Sequence, residues 1–429
     1  MTDPTRDLER LVERDQAMLG CPYSLFAELR DAPQALVWSE AMGAWLATRH
    51  DVVLEILRDT DTWSSRSPAS VGGRNDAMRR AMATLATEPG MPDVIAAVSS
   101  DRRAAAVLLN ADPPAHVRQR RAVNRAFRPA RIRAMEPMVR QVSDELIDRF
   151  ADRGRVELVR DYAVLLPMEI IARALGVGDD DILTFKAWSD DMAIPIGNAS
   201  PTVDQVRHYL RSSRDFGDYF AAKLEQRRTE PDDDLISDVA NAEVDGAPLT
   251  MAEQLSMCQQ FLLAGNETTT KLITNLAYHL ATRPELRTEL DRDCALVPAL
   301  VEEALRFEAP VQGLFRVARH DVTFRGVEVP AGASVWPVYA AANRDPSVYG
   351  APELLTVDGS NEADHLAFGH GEHYCIGAGL ARLEARVAVE AILDHLPHLA
   401  LAPGYEPSYE DSFLLRGLRT LDLTFDPRL

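Results

Sequence analysis

The sequence has little cysteine and no long hydrophobic run. Its four cysteines (Cys21, Cys258, Cys294 and Cys375) are widely separated among 429 residues, so a secreted fold held by disulfides is not expected. No segment approaches the roughly 20 apolar residues that cross a bilayer. Residues 1–16 are dominated by Asp, Glu and Arg. We therefore expect neither a signal peptide nor a membrane anchor, and a cytoplasmic protein.

Positive charge is also scarce. The 46 Lys and Arg residues are outnumbered by 66 Asp and Glu residues, which gives a net charge of −20. Such a surface repels the phosphates of nucleic acids and anionic lipids, so neither is expected as a main partner. The hydrophobic fraction of 46% is enough to bury a large core, which argues against a disordered chain.

Helical patterns dominate, and repeats and linkers are absent. We expect one mostly α domain over residues 1–429 with small β-sheets, in which residues 1–20 are loosely ordered. The predicted helices are Glu136–Arg149, Gln205–Arg227, Thr250–Thr282, Pro284–Asp293, Leu296–Glu308 and Ala378–Leu393. The predicted strands are Leu36–Trp38, Ala44–Ala47, Val322–Val329, Ser334–Val338 and Thr420–Phe425.

Two segments are long and irregular. They cover residues 63–110, with a short helix predicted over 75–86, and residues 189–202. Long loops of this kind are often lids over a site, although both segments could equally be ordinary surface loops.

The sharpest local feature is a glycine-rich loop that reads Phe368-Gly-His-Gly-Glu-His-Tyr-Cys-Ile-Gly377. Cys375 comes just before the predicted helix Ala378–Leu393, and the unpaired N–H groups of a helix start favour a thiolate, the form that binds metal. The glycines allow the backbone to approach a flat ligand closely. The residues alone leave three alternatives: a buried structural cysteine, a zinc site that uses nearby histidines, and a heme-thiolate loop.

This loop resembles the cysteine-ligand loop of the cytochrome P450 family. The matching signature positions are Phe368, Gly369, Gly371, His373, Cys375 and Gly377. The resemblance implies heme b (iron protoporphyrin IX) as cofactor, with Cys375 as the sulfur ligand of its iron and Phe368, Gly369 and Gly377 around it. It also implies a triangular, mostly α domain with the heme between a long central helix and this loop.

The central helix has an unusual middle. It opens with the capping box Thr250–Glu253 and reaches about Thr282, roughly 50 Å away at ~1.5 Å per residue. Residues 264–270 read Ala-Gly-Asn-Glu-Thr-Thr-Thr, of which Gly, Asn and Thr are poor helix formers. A helix–helix crossing at the Ala-Gly pair would be a purely structural explanation.

The same stretch looks like the oxygen-activation motif of the family. The resemblance implies that Glu267 and Thr268 relay protons to dioxygen, and that Ala264 and Gly265 lie over the heme. A Thr hydroxyl can also bond a backbone carbonyl within its own helix.

A second motif begins at Asp112-Pro113-Pro114, where Asp112 is a candidate helix N-cap. His116 and Arg120 are four residues apart and share a helix face, which suits two donors aimed at a carboxylate. A solvated basic face is the plain alternative. The family resemblance implies that His116 and Arg120, together with Arg316 and His373, hold the heme propionates.

Glu303 and Arg306 lie one helical turn apart, and the pair resembles the E-x-x-R scaffold motif of the family. Its implied role is to hold the loops beneath the heme. The family usually supplies a third partner, an Arg shortly before the cysteine loop, but residues 346–367 contain no Arg. Ser360 occupies that place, beside Gly359 and Asn361, so a neighbouring polar side chain, a backbone carbonyl or a group elsewhere must substitute.

The motifs in family order imply a heme-thiolate monooxygenase, expected to be monomeric. It would use O2 to insert one oxygen atom into a hydrophobic small molecule by hydroxylation or epoxidation, with electrons from NAD(P)H through a reductase and a ferredoxin. Alternatives are a peroxide-driven enzyme of the same fold and a non-catalytic heme sensor, which the Glu267–Thr268 pair disfavours. The positions implied to line the substrate pocket are Gln260, Leu263, Gln312, Leu314 and Leu414.

Residues 118–133 contain seven arginines and no acid, in a chain with a net charge of −20. Arg118, Arg121 and Arg125 fall on one face of a helix. A solubilising surface is the plain explanation. We expect instead that this face docks an acidic electron-transfer partner such as a ferredoxin, because charge complementarity steers encounter.

Overall fold

The computed structural model describes residues 4–66, 76–99, 105–178, 181–195, 201–244, 246–361 and 364–428. The helices are α1 Pro4–Val12, α2 Gln16–Gly20, α3 Tyr23–Arg30, α4 His50–Arg58, α5 Asp76–Leu85, α6 Met91–Ser99, α7 Ala115–Val123, α8 Pro129–Asp148, α9 Leu165–Ala174, α10 Ile182–Ala193, α11 Val203–Thr229, α12 Leu235–Ala240, α13 Met251–Thr282, α14 Pro284–Arg292, α15 Val297–Phe307, α16 Tyr339–Ala342 and α17 Ala378–His395.

The strands are short. They are β1 Val37–Ser39, β2 Ala44–Ala47, β3 Trp63–Ser64, β4 Arg155–Glu157, β5 Glu243–Val244, β6 Ala247–Pro248, β7 Arg316–Ala318, β8 Val322–Phe324, β9 Val327–Val329, β10 Ser334–Pro337, β11 Ala400–Leu401 and β12 Asp422–Thr424. The expectation of a mostly helical chain with small sheets is therefore confirmed.

The predicted long helices are confirmed, and α13 matches its prediction end to end. Thr250 and Glu253 form both hydrogen bonds of the capping box. The largest difference is at α8, which starts at Pro129 rather than Glu136. Pro137 lies inside this helix. An interior proline usually marks the start or a break of a helix, so the predicted start next to Pro137 was too late.

The prediction of loose order for residues 1–20 is wrong for residues 4–20. These residues form α1 and α2, whose apolar side chains recur at helical spacing and are buried. One core cluster contains Leu8, Leu11, Met18 and Leu19 together with residues of α3 and β2 and with Phe413 and Leu414 near the C-terminus. The first three residues lie outside the described ranges.

The largest sheet has the strand order β1-β2-β10-β7-β3, in which only the β2–β10 pairing is parallel. Strands β11, β12 and β4 form a second sheet, and β5–β6 and β8–β9 are hairpins. The single strand predicted over Val322–Val329 is instead two strands, β8 and β9, that form a hairpin. The chain turns at Arg325 and Gly326, which both adopt the positive φ that a tight hairpin turn requires.

Both predicted lids fall partly outside the described residues, at 67–75, 100–104 and 196–200. The short helix predicted over 75–86 is confirmed as α5. Helix α13 runs through the principal core, where its apolar residues pack with those of α8, α9, α15 and α17. Within the described ranges, no helix is both long and apolar enough to span a membrane.

One acid lies inside this core. Glu384 of α17 is 3% exposed, and its Oε2 atom has no hydrogen-bond partner. Burial without a counter-charge raises the pKa of Glu384 from 4.5 to about 8, so the carboxyl is protonated at neutral pH.

We predict that Glu384→Gln makes stability less sensitive to alkaline pH. The pKa of Glu384 is higher in the folded protein than in the unfolded chain. Deprotonation therefore costs more free energy in the folded protein, and wild-type stability falls as pH rises from the unfolded pKa through about 8. Chemical denaturation between pH 5 and pH 9 should show the variant gaining free energy of unfolding relative to wild type as pH increases. The exposed Glu406→Gln serves as control, and parallel pH profiles for Glu384→Gln and wild type would contradict the prediction.

Candidate active site

The loop before α17 turns tightly. Gly369 and Gly371 have φ of +69° and +70°, and a Cβ on Gly371 would lie 3.0 Å from the carbonyl oxygen of Leu57. The amide of Cys375 donates to the carbonyl of Phe368 at 2.9 Å, which closes the loop. The glycine-dependent turns expected from the sequence are therefore present.

The Cys375 sulfur faces the start of α17, where the backbone N–H groups of Gly377 and Ala378 donate to it. Even so, loss of hydration outweighs these bonds, and the pKa of Cys375 is raised. The N–H groups of the helix start therefore lower the pKa of Cys375 as expected, although burial has the larger effect. A metal cation bound to the sulfur would supply the missing stabilisation, because coordination deprotonates a thiol.

The four residues expected to hold propionates converge near Cys375. The ring centroids of His116 and His373 are 4.1 Å apart. Arg316 and Arg120 both act electrostatically on His373, and Arg120 also acts on Cys375. The fold thus brings together side chains from α7, β7 and the cysteine loop.

Negative charge is deficient in this cluster. The carboxylate that acts on His373 is Asp112. Burial, with the nearby positive groups, lowers the pKa of His373 to about 3, and burial also lowers the pKa of His116. The Nδ1 atom of His116 is buried without a hydrogen-bond partner. A buried nitrogen without a partner beside two arginines fits an anionic ligand, and a carboxylate such as a heme propionate would satisfy this requirement.

Asp112 does not cap the following helix. Helix α7 begins at Ala115 without a side-chain cap. The Asp112 carboxylate instead accepts hydrogen bonds from the Ser64 hydroxyl at 2.6 Å and the Ser65 amide at 2.8 Å, and it pairs with Arg319 at 3.0 Å. The predicted cap is wrong because tertiary partners from β3 and the segment after β7 occupy the carboxylate.

A cavity of about 410 Å³ opens beside the Cys375 sulfur, between α7, α8 and α17. Its lining includes Arg120, Arg133 and Arg382, and its apolar wall includes Phe127 and Ile132. Cys375 thus lines a cavity that has arginines in its wall.

The middle of α13 presents an open face. Ala264 is exposed although it lies halfway along a mostly buried helix, and the Thr268 hydroxyl donates to the Ala264 carbonyl at 2.7 Å. A Cβ on Gly265, by contrast, would point at Ile171 of α9, 3.5 Å away. Ala264 and Thr268 therefore line one face, whereas Gly265 packs against Ile171 at a helix crossing. The expected position of Ala264 and Gly265 over the heme stays a prediction.

Glu267 is turned away from Thr268. Its carboxylate accepts a hydrogen bond from the Lys271 ammonium at 2.7 Å, one turn towards the C-terminus of α13. Lys271 was not among the predicted site residues, although its spacing of four residues from an acid is the usual signal for such a pair.

The scaffold pair is buried and fully bonded. Arg306 and Glu303 form a bidentate ion pair with two distances of 2.7 Å. The amide of Asn361 donates to the Glu303 carboxylate at 3.0 Å, and the Thr356 N–H donates to it at 3.2 Å. Asn361 therefore takes the place of the missing third Arg, one residue after the expected position.

A second network joins α15 to the cysteine loop and was missed in the sequence. Arg382 donates to both oxygens of Glu302 at 2.6 and 2.7 Å and to the Tyr374 hydroxyl at 3.1 Å. The same guanidinium lies 4.6 Å from the centroid of the Phe368 ring. Only the tertiary fold brings these groups together, since Glu302 is 80 residues from Arg382.

The zinc alternative finds no support. Within the ranges that the structure covers, no group of three or more His, Cys, Asp or Glu side chains is arranged to hold a metal ion. The nearby histidines have other partners. His365 faces Glu302 at 3.3 Å, and His373 lies 3.0 Å from the Ser65 hydroxyl.

The predicted substrate-lining residues have varied surroundings. Gln260 donates to the carbonyl of Val107 at 2.8 Å, whereas Leu263 and Leu314 are partly buried. Gln312 and Leu414 are 3% and 4% exposed and are joined by a backbone hydrogen bond. Their contact with a substrate stays a prediction.

The arginine face is smaller than expected. Arg121 and Arg125 are exposed, but Arg118 is ion-paired with Glu253 at the start of α13. Arg118 therefore contributes less to an exposed positive face than its helical position suggested.

Comparison with known proteins gives a consistent result. The family model described as cytochrome P450 matches residues 62–416. Cytochrome P450 107B1 of Saccharopolyspora erythraea is 33% identical over 424 residues, which is 97% of this chain and 98% of that protein. The vitamin D(3) 25-hydroxylase of Pseudonocardia autotrophica is 38% identical over 322 residues, which is 74% of this chain and 77% of that protein.

A solved structure agrees with this result. Cytochrome P450 CYP109Q5 from Chondromyces apiculatus superposes with a TM-score of 0.83 at 36% identity, covering 97% of this chain and 98% of that one. The chain belongs to the cytochrome P450 family. It is accordingly a heme b protein and an oxidoreductase of the monooxygenase class.

We predict that Asn361→Ala weakens the scaffold. Removing a donor from a buried carboxylate should lower the free energy of unfolding by about 1–3 kcal/mol. Denaturant titration of the heme-loaded protein measures this change. Ser360→Ala is the matched control, because that side chain is exposed and the Ser360 N–H bonds Asp358 rather than Glu303. Equal losses in the two variants would contradict the role of Asn361.

Proposed function

We propose that the protein uses O2 to hydroxylate or epoxidise a hydrophobic small molecule, with electrons from NAD(P)H delivered through a reductase and a ferredoxin. The observation that carries the proposal is the convergence of a helix-start cysteine with two arginines and two histidines, among which the buried Nδ1 atom of His116 has no hydrogen-bond partner. Such a cluster suits a dianionic heme with one sulfur ligand. We further propose one domain over residues 1–429, a monomeric state and a cytoplasmic location.

Cys375 is proposed as the sulfur ligand. His116, Arg120, Arg316 and His373 would bind the two propionates, and Phe368, Gly369 and Gly377 would shape the loop around the ligand sulfur. When bound, the heme supplies the oxygen chemistry, in which one atom of O2 enters the substrate and the other leaves as water. The protein's own part is to orient the reactants, limit water and move protons.

Glu267 and Thr268 are proposed as the proton relay. The Thr268 hydroxyl lies on the open face of α13, and the Glu267 carboxylate extends to the other side of the same turn. A carboxyl next to a hydroxyl can pass protons from outside the pocket to a site beside Ala264. Retention of this pair favours O2 over peroxide as oxidant.

The substrate is proposed to be a largely apolar molecule of steroid, terpenoid, fatty-acid or polyketide type. The expected lining residues are mostly apolar, and one relative at 38% identity is named a vitamin D(3) 25-hydroxylase. Gln260 and Gln312 would add the few polar contacts that orient such a molecule.

The electron donor is proposed to dock beside the cavity at Cys375. Arg121 is exposed on α7, Arg125 is exposed in the turn that follows α7, and Arg133, which lines the cavity, is exposed as well. A positive surface on a strongly acidic chain would select an acidic partner and place it near the sulfur.

The first test is a reduced-plus-CO difference spectrum of the purified protein. We predict a strongly red-shifted Soret band in wild type and its loss in Cys375→His, because thiolate and imidazole ligands give different spectra. The exposed Cys294→Ser should keep the wild-type band. A band of the imidazole type in wild type would show that Cys375 is not the ligand.

We also predict that the double variant Arg121→Glu/Arg125→Glu slows ferredoxin-supported turnover at low salt by about tenfold or more, and that added salt affects it less than wild type. The measurement is the rate of NAD(P)H oxidation against ionic strength. Arg153→Glu/Arg292→Glu makes the same change in charge at two other exposed sites. If both double variants behave alike, net charge rather than a docking face is responsible.

A further inference from the structure

Arg382 and Glu302 place two opposite charges beside the cysteine loop, and the proposed function leaves them without a role. Arg382 on α17 donates to both carboxylate oxygens of Glu302 on α15, at 2.6 and 2.7 Å. Their side chains are 35% and 43% exposed. A partly exposed ion pair contributes little to the free energy of unfolding, so stability alone does not account for these charges.

Two contacts hold the Arg382 guanidinium against the loop that carries Cys375. It donates to the hydroxyl of Tyr374, the residue before Cys375, at 3.1 Å. It also lies 4.6 Å from the ring centroid of Phe368, whose carbonyl accepts the N–H of Cys375. Arg382 and Cys375 line the same cavity. Burial raises the pKa of Cys375, and the charge of Arg382 opposes this rise, so the guanidinium acts on the sulfur.

Glu302 supplies the negative charge of the pair. Burial alone would raise the pKa of this carboxyl, but Arg382 and His365 lower it to about 2, so it is ionised at neutral pH. Arg382 lines the cavity at Cys375, whereas Glu302 reaches Arg382 from α15. The pair is therefore neutral as a whole, and its positive half is the one next to the cysteine loop.

A charge beside the sulfur changes how readily a heme bound there accepts an electron. Reduction by one electron adds negative charge at the iron and its sulfur ligand, which a nearby cation stabilises and a nearby anion destabilises. Hydrogen bonds and charges around a ligand sulfur are among the means by which proteins adjust reduction potentials. Arg382 would therefore raise the potential, and Glu302 would limit this effect because it offsets the guanidinium charge.

We propose that the Arg382–Glu302 pair sets the reduction potential of the heme at Cys375, with the two charges acting in opposite directions. The inference rests on the proposed role of Cys375 as the sulfur ligand. The step concerned is the uptake of one electron, supplied by the proposed ferredoxin, by the ferric heme. Neither side chain of the pair gains or loses a proton in this step, so both act as fixed charges. Glu302 acts through Arg382 and is a positioning residue.

Spectroelectrochemical titration of the substrate-free holoenzyme tests the proposal without turnover. The ratio of ferrous to ferric heme is followed in the Soret band against the applied potential. At a fixed potential, Glu302→Gln should increase this ratio about threefold or more, and Arg382→Gln should decrease it by a similar factor. A threefold change is a midpoint shift of about 28 mV, since a tenfold change corresponds to about 59 mV for one electron. Arg382→Lys keeps the charge and should stay closer to wild type than Arg382→Gln.

The next ion pair along α17 provides a matched control. Arg386 contacts Glu136 of α8 at 2.8 Å, and the two side chains are 25% and 31% exposed. Arg386 lies about one turn farther from Cys375 than Arg382 does along the same helix. Arg386→Gln and Glu136→Gln should therefore leave the midpoint at the wild-type value. The double variant Glu302→Gln/Arg382→Gln should return towards that value, because the two shifts oppose each other.

The signs of the shifts separate an electrostatic role from a merely structural one. Loosening of the loop would move both single variants in the same direction, whereas the loss of opposite charges moves them in opposite directions. Shifts of the same sign, or midpoints equal to that of wild type in both variants, would overturn the proposal. If Arg382→Gln does not retain heme, Glu302→Gln decides alone: a raised midpoint supports the proposal, and an unchanged or lowered one contradicts it.

The reduced-plus-CO spectrum separates this inference from the ligand assignment. If wild type lacks the strongly red-shifted Soret band, Cys375 is not the ligand and the inference fails with that assignment. If wild type, Glu302→Gln and Arg382→Gln all show the band but share one midpoint, only the role of the pair fails. The expected result is the thiolate-type band in all three proteins, with the highest midpoint in Glu302→Gln and the lowest in Arg382→Gln.

Discussion

A partly buried sulfur beside buried, incompletely paired cationic and imidazole groups is the constraint on which this structure depends. The pKa of Cys375 is raised and that of His373 is lowered, so both groups are uncharged in the protein alone. A heme bound at Cys375, as proposed above, would offset both penalties, since its iron would stabilise the thiolate and its carboxylates would supply acceptors. Cofactor binding and fold stability would then be coupled.

Two ion-pair networks around α15 hold this site in shape. The inner network centres on Glu303 and Arg306, and Asn361 provides the third contact. The outer network connects Glu302 with Arg382 on α17. Because neighbouring residues of one helix anchor the segment before the cysteine loop and the helix after it, the loop is fixed from both ends. Breaking a buried pair is costly, which makes the inner network a rigid support, whereas the outer pair is partly exposed.

Much of the site could be predicted because its signals are local in sequence. The capping box at Thr250, the glycine turns before Cys375 and the helix after it depend on neighbouring residues, and all three are present. Asp112 was predicted wrongly because a local capping preference competes with distant partners in β3.

The sequence by itself therefore determined the helical class, the long α13 helix and the residue types that suit a heme. The tertiary structure alone decided which side chains meet: His116 with His373, Asn361 with Glu303, and Lys271 with the backbone of Gly417. The physical reason is range. Helix periodicity and capping act over a few residues, whereas hydrogen bonds and close packing between distant segments exist only once the chain has folded.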